Sequence, residues 1–197
     1  MSAMAIVACQ SLAARSVDVN QMQIALANPA VTIKTVNYRI TGTTAQQLRQ
    51  QMNQLGPLDQ HENRRFDART NWHVYWNYRY AQAGDRCRIT SASIRTEVVF
   101  TLPQWAKPQH PPQTLVNQWN RYLQALQQHE NGHKDHGIAA GNEILNQLQT
   151  FSIAGQCGQI TTAANTTARQ IIAKYGQQDV AYDRATNHGA TQGARFP

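Results

Sequence analysis

Apolar positions along the chain follow two periods, and these assign the elements. Residues 31–40 alternate as a half-buried strand does. Farther on, Trp72, Val74, Trp76, Tyr78 and Tyr80 take one face of an extended run, and His73, Tyr75, Asn77 and Arg79 take the other. A second run over 86–102 carries Ile94, Val98, Phe100 and Leu102 on one face, and Pro103 is expected to stop it. Ala83-Gly84-Asp85 between these two runs reads as a hairpin turn, so an antiparallel sheet is predicted.

Helical spacing governs the remainder. Thr44 with Gln47 forms a capping-box signature ahead of Leu48, Met52 and Leu55, and Gly56-Pro57 closes that helix. Pro112 can pre-set a first turn, after which Leu115, Trp119, Tyr122 and Leu126 recur at steps of four and three. The same stripe continues through His129, His133 and His136 to Ala140, Ile144 and Leu148, which predicts one long helix whose histidines face the protein. Gly132, Gly137 and Gly141 weaken it by about 1 kcal/mol each relative to alanine, unless they admit close approach of a neighbour or a bend. After Cys157, the spacing of Ala164, Ala168, Ile171, Ile172 and Tyr175 predicts a shorter helix ended by Gly176. From Asp179 onward the chain is Gly-rich and polar without helical period, as a frayed terminus is.

Within the long stripe, His129-Glu130-Asn131-Gly132-His133 spells H-E-x-x-H. Residues four apart on a helix share a face, so two imidazoles can grip one metal ion with Glu130 beside it as general base. That chemistry is zinc-dependent hydrolysis: zinc lowers the pKa of water to about 7, and the carboxylate takes the proton. A catalytic zinc takes three protein ligands. His136 lies roughly 10 Å from His129 along a continuous helix, which fits packing or support of a ligand better than ligation. His188 is the stronger third ligand, because ligation would order an otherwise patternless tail. Asp183 could orient a ligand imidazole, and Tyr182 or Arg184 could polarise the scissile carbonyl. His61, His73 and His110 have no spacing partner and read as ordinary histidines.

Composition narrows the setting. The 197 residues are 41% hydrophobic and only 15% charged, with abundant amides, a weak pointer to a secreted or envelope protein. The formal net charge of +7 raises the question of nucleic acid. Lysine and arginine are scattered, however, with Arg64-Arg65 the single adjacent pair, so no nucleic-acid partner is expected and a diffuse attraction to anionic partners is. A Cys87–Cys157 disulfide would close a loop of about 70 residues and contribute about 4 kcal/mol in an oxidising compartment; two buried free thiols are the alternative. The apolar start of the chain is similar to part of a secretory signal, or to a lipoprotein box with a lipid anchor at Cys9, and residues 1–30 are set apart from a domain over 31–197.

Several blocks together resemble the DUF922 family of bacterial proteins: residues 75–80 (YWNYRY), Cys87, residues 102–105 (LPQW), the Trp119 to Leu126 stripe, the H-E-x-x-H run, and residues 182–194 (YDRATNHGATQGA). The resemblance covers the chain from about Thr32 onward, and the C-terminal block is its most distinctive part. Such proteins are described as predicted secreted zinc-dependent proteases. The resemblance implies a periplasmic or secreted location and a zincin-like α+β fold, with His129, His133 and Glu130 matching the motif. Together these features predict a zinc metalloprotease acting on a protein or peptide substrate, its antiparallel sheet packed on the H-E-x-x-H helix with additional helices. Zinc amide hydrolysis of peptidoglycan, or a non-catalytic envelope module with a structural metal, are the alternatives.

Overall fold

The computed structural model describes residues 29–60 and 63–197; Cys9, His61 and the proposed leader up to residue 28 lie outside the described residues. The elements follow in the order β1 (Ala30–Ile40), α1 (Ala45–Leu55), β2 (Leu58–Asp59), β3 (Arg64–Arg65), β4 (Arg69–Ala83), β5 (Arg86–Trp105), α2 (Gln113–Thr150), β6 (Ser152–Ala154) and α3 (Ile160–Thr186). Short 3-10 turns occupy Cys157–Gln159 and Ala190–Gln192. The class is α+β.

The main sheet has the order β1-β5-β4, with β6 added at the start of β5. β4 and β5 form the expected antiparallel hairpin, and the register shifts once, between Arg79 and Tyr80. β1, however, runs parallel to β5 from Ala30 opposite Arg95 to Ile40 opposite Trp105, so the sheet is mixed and not antiparallel. Alternation reports which face a residue takes and carries no strand direction. Here the hairpin reverses the chain so that β5 runs alongside β1. Nor does Pro103 end β5, which continues to Trp105. β4 starts at Arg69 opposite Thr101, so at Pro103 the strand has a partner on one side only, where a missing N–H can be tolerated.

Helix α2 is continuous for 38 residues and joins two packed clusters. Toward its start, Trp119, Tyr122 and Leu126 meet Val98, Phe100, Leu102, Trp105 and the α1 residues Leu48 and Met52. Toward its end, Ile144, Leu145 and Leu148 meet Ile94, Ile89 and the α3 residues Ile160, Ala164 and Ala168. Its glycines mark close approach and not a bend: a Cβ on Gly132 would lie 2.5 Å from the Tyr182 ring, and one on Gly137 would lie 2.6 Å from Trp72 Cγ. Cys87 and Cys157 are disulfide-bonded with Cα atoms 5.0 Å apart, which ties the start of β5 to the turn that launches α3.

Helix α3 overturns one expectation. It does not end at Gly176 but runs to Thr186, where Asn187 in the left-handed region (φ 48°) stops it. A mid-helix glycine costs about 1 kcal/mol, which the contacts of the two following turns outweigh. Nor is the tail frayed: Phe196 is buried edge-on to Trp119 (ring centroids 5.3 Å apart) and against Tyr122 (5.0 Å).

The Gly137 contact is testable. Gly137→Ala improves intrinsic helix propensity, yet it should lower stability to denaturant by about 1–3 kcal/mol because the methyl strikes the root of the Trp72 side chain. An unchanged or higher unfolding midpoint would show that α2 and β4 can part without cost.

Candidate metal centre

The centre is assembled from two helices that use the same spacing. On α2, His129 and His133 are four residues apart and both buried. On α3, Asp179 and Asp183 are also four apart, so both carboxylates project toward α2. Asp183 Oδ1 lies 3.1 Å from His129 Nε2 and 3.1 Å from His133 Nε2, and the two Nε2 atoms are 3.4 Å from each other. Three donors of the kinds that bind zinc therefore converge, at separations close to the edges of a coordination polyhedron. A tetrahedron with bonds of roughly 2.0–2.1 Å has edges of roughly 3.3–3.4 Å.

The second nitrogen of each imidazole is also engaged. His133 Nδ1 donates to Asp179 Oδ1 at 2.9 Å, and His129 Nδ1 donates to Gln192 Oε1 at 3.0 Å, which leaves both Nε2 atoms to face Asp183. Asp179 is held in turn by Trp72 Nε1 at 2.7 Å and by His136 Nδ1 at 2.7 Å. His133, His136 and Asp179 form a second group of metal-capable side chains. Their contacts to Asp179, at 2.7 and 2.9 Å, are hydrogen-bond lengths and shorter than the edges of a zinc site, so this group acts as support for His133.

Electrostatics follow the contacts. Burial alone would lower the His133 pKa, but the hydrogen bonds to Asp179 and Asp183 outweigh it and push His133 up to about 10. Burial disfavours the charged forms of both carboxylates. The bonds from His129 and His133 to Asp183, and from His133, His136 and Trp72 to Asp179, nevertheless hold each below the usual carboxylate range. Glu130 behaves oppositely. Burial raises its pKa, against the Thr70 hydroxyl that donates to Oε2 at 2.5 Å and against the nearby imidazoles. His129, Glu130, His133, Asp179 and Asp183 open on a cleft of about 290 Å³, walled also by Phe66, Ala68, Thr70, Leu126 and His188. Beneath its wall, Asp67 receives a paired Arg49 guanidinium and the buried Tyr122 hydroxyl at 2.6 Å, which fixes the start of the strand that carries Thr70.

A family model described as "Bacterial protein of unknown function" (DUF922) matches residues 35–189. The chain belongs to the DUF922 family. The matched stretch spans the sheet and both long helices, and it contains every donor of the three-atom group. No curated protein and no solved structure matches the chain.

In this DUF922 member the expected site residues take different places. His129, His133 and Glu130 come together in the cleft. His188 also lines it, with its ring 4.7 Å from Phe66 and Nδ1 3.5 Å from the Asp183 oxygen that the other imidazoles share, outside the group formed by His129, His133 and Asp183. The side chain grouped with the two Nε2 atoms in a set that could hold a metal is Asp183, expected to be an orienting group. His136 Nδ1 meets the same Asp179 oxygen as His133 Nδ1. Tyr182 sits behind His129 and not in the cleft: its ring stacks at 4.9 Å on the imidazole, and its hydroxyl meets the Gln192 amide at 3.0 Å. Arg184 is exposed, on an adjoining hollow that shares Val180, Asp183 and His188 with the cleft. Asp179, Thr70 and Gln192 were not anticipated. Two acids four apart, matching two histidines four apart, was the available signal for Asp179.

A pH dependence follows for the metal-free protein. His133 binds its proton more tightly when folded, so its contribution to stability is complete below its ordinary value of 6.5 and is lost as pH rises toward about 10. The melting temperature of chelator-treated protein should fall across that interval, and His133→Gln should flatten the fall. The same slope in both proteins would assign the effect elsewhere.

Proposed function

We propose that this protein is a zinc-dependent metallopeptidase that hydrolyses peptide bonds in the bacterial envelope or outside the cell. The observation that carries the reading is the convergence of His129 Nε2, His133 Nε2 and Asp183 Oδ1, at 3.1–3.4 Å, with a buried carboxylate on the same helix. Bound there, zinc would supply Lewis acidity, lowering the pKa of water and polarising a carbonyl.

The residues of the chain supply the remainder. Glu130 Oε2 is taken by Thr70, which leaves Oε1 to accept a proton from water and later return it to the departing amine. Its raised pKa brings it nearer neutrality, where one group can both take and give a proton. Gln192 and Asp179 hold the imidazoles in the tautomer that presents Nε2. Apolar walls at Leu126, Ala68 and Phe66 limit water around the reacting carbonyl. The disulfide supports an oxidising compartment, and among the described residues no helix is long and apolar enough to cross a membrane.

Purified protein should carry close to one zinc per chain. Asp183→Ala should weaken zinc at least as much as His133→Ala, and more than His188→Ala does. Glu130→Gln should keep the metal and lose peptide hydrolysis by about 100-fold or more, the scale of general-base catalysis. Hydrolysis unaffected by Glu130→Gln would remove the enzyme reading and leave a structural metal. Turnover of peptidoglycan in place of protein substrates would redirect the same machinery to another amide.

A further inference from the structure

The positive charge of the chain is gathered, although the sequence scatters it. β1, β4 and β5 contain seven lysine and arginine residues and a single carboxylate, Glu97. That is a formal +6 of the whole chain's +7. Six of the cations, Lys34, Arg69, Arg79, Arg86, Arg88 and Arg95, share the sheet face that α2 and α3 leave open, Arg69 being paired with Asp59. The covered face is identified by Trp72 against Gly137 and by Trp76 Nε1 donating to Asn165 at 2.9 Å, and residues of the opposite parity point away.

Register places these cations together. Arg88 stands opposite Ala81 and Arg86 opposite Ala83, while Arg79 stands opposite Ser91, so Arg79 lies diagonally from Arg88 across the hairpin. Same-face neighbours along a strand are roughly 7 Å apart. Tyr75 stands opposite Arg95, whose guanidinium lies 4.2 Å over the tyrosine ring, and Lys34 pairs in register with Val99 on the same face. Arg95 has Glu97 as a partner, whereas among the described residues no carboxylate lies in salt-bridge range of Lys34, Arg79, Arg86 or Arg88. Exposed apolar area is interspersed, with Val36 at 54% and Tyr75 at 44%.

We propose that this open face docks the protein on an anionic lipid bilayer. Charge complementarity is the driving term, since each basic side chain at such a surface adds about fivefold to binding. Arginine stems, Val36 and the amphipathic Tyr75 ring suit the headgroup layer, where apolar bodies and polar tips are both accommodated. A nucleic-acid strand calls for a basic groove lined by successive stacking rings, and this face offers one exposed ring on an open sheet. Docking this way keeps Thr70 and the histidines of the metal cleft on the helix side of the sheet, with Arg69 and Asn71 at its rim on the docked side.

The test is co-sedimentation of the full chain with vesicles of phosphatidylcholine alone or with 30% phosphatidylglycerol, at about 0.1 M salt where surface charges still act over roughly 10 Å. Binding to the anionic vesicles and not to the neutral ones is expected, with release at high salt. Arg79→Gln with Arg88→Gln should lower the partition coefficient about 30-fold. Arg121→Gln with Arg169→Gln, the same charge change on the helices, should lower it less than threefold. Circular dichroism and melting of both variants confirm that they are folded. Absence of binding to anionic vesicles, equal losses in the two double variants, or tighter binding to single-stranded DNA than to the vesicles would each overturn the proposal.

Discussion

Four short side chains, two from each long helix, fix how α2 and α3 lie against one another. An aspartate reaches only a short way from its backbone, so for Asp179 and Asp183 to touch His133 and His129 the two helices must run close together. Gly132 follows from that closeness, because the Tyr182 ring occupies the volume where its Cβ would stand. Gly137 does the same for Trp72, whose indole then reaches Asp179. The glycines that look like weaknesses in the helix are conditions for the contact. Breaking one partner of such a part-buried ion pair leaves a charge without compensation, typically a loss of about 3–5 kcal/mol, and the cluster therefore sets the helix register as well as the chemistry.

Glu130 shows how position on one helix separates roles. One residue after His129, it projects away from Asp183 and toward β4, where Thr70 is its partner. The imidazoles meet carboxylates, and Glu130 meets a hydroxyl. Burial thus acts on Glu130 with weaker opposition than it meets at Asp183, and two acids lining one cleft are driven to opposite sides of their ordinary range. The same fold holds one carboxylate charged and makes the other ready to carry a proton.

What was legible in the sequence is what hydrophobic periodicity and short spacing encode. The β4–β5 hairpin, α1, the full apolar stripe of α2 and the local pair His129 and His133 were all readable, and the Cys87–Cys157 bridge was one of two alternatives. The direction of β1 was not, because alternation is blind to it. The last turns of α3 escaped because their inward positions are Asp179 and Asp183, polar residues that no hydrophobic pattern registers. The tail is anchored by one apolar residue, Phe196, too little to form a period. Asp183 as third donor needed the packing of two distant helices, which no spacing within either helix expresses. Charge was misread for a related reason: residues spread along β1, β4 and β5 look diffuse in order and fall on one face once period two is folded into a sheet.

The disulfide has a mechanical consequence. Cys157 sits at the entry to α3, and the carboxylates that meet α2 sit near its exit, so the helix is a beam clamped at both ends to the same body. A beam freed at one end can still pivot about the other. The covalent clamp limits how far α3 can swing while the polar one is open, and so shortens the search by which Asp183 returns to the imidazoles. In a reducing environment that covalent tie is gone, and the apolar packing of Ile160, Ala164 and Ala168 with the polar clamp would have to bring the helix back.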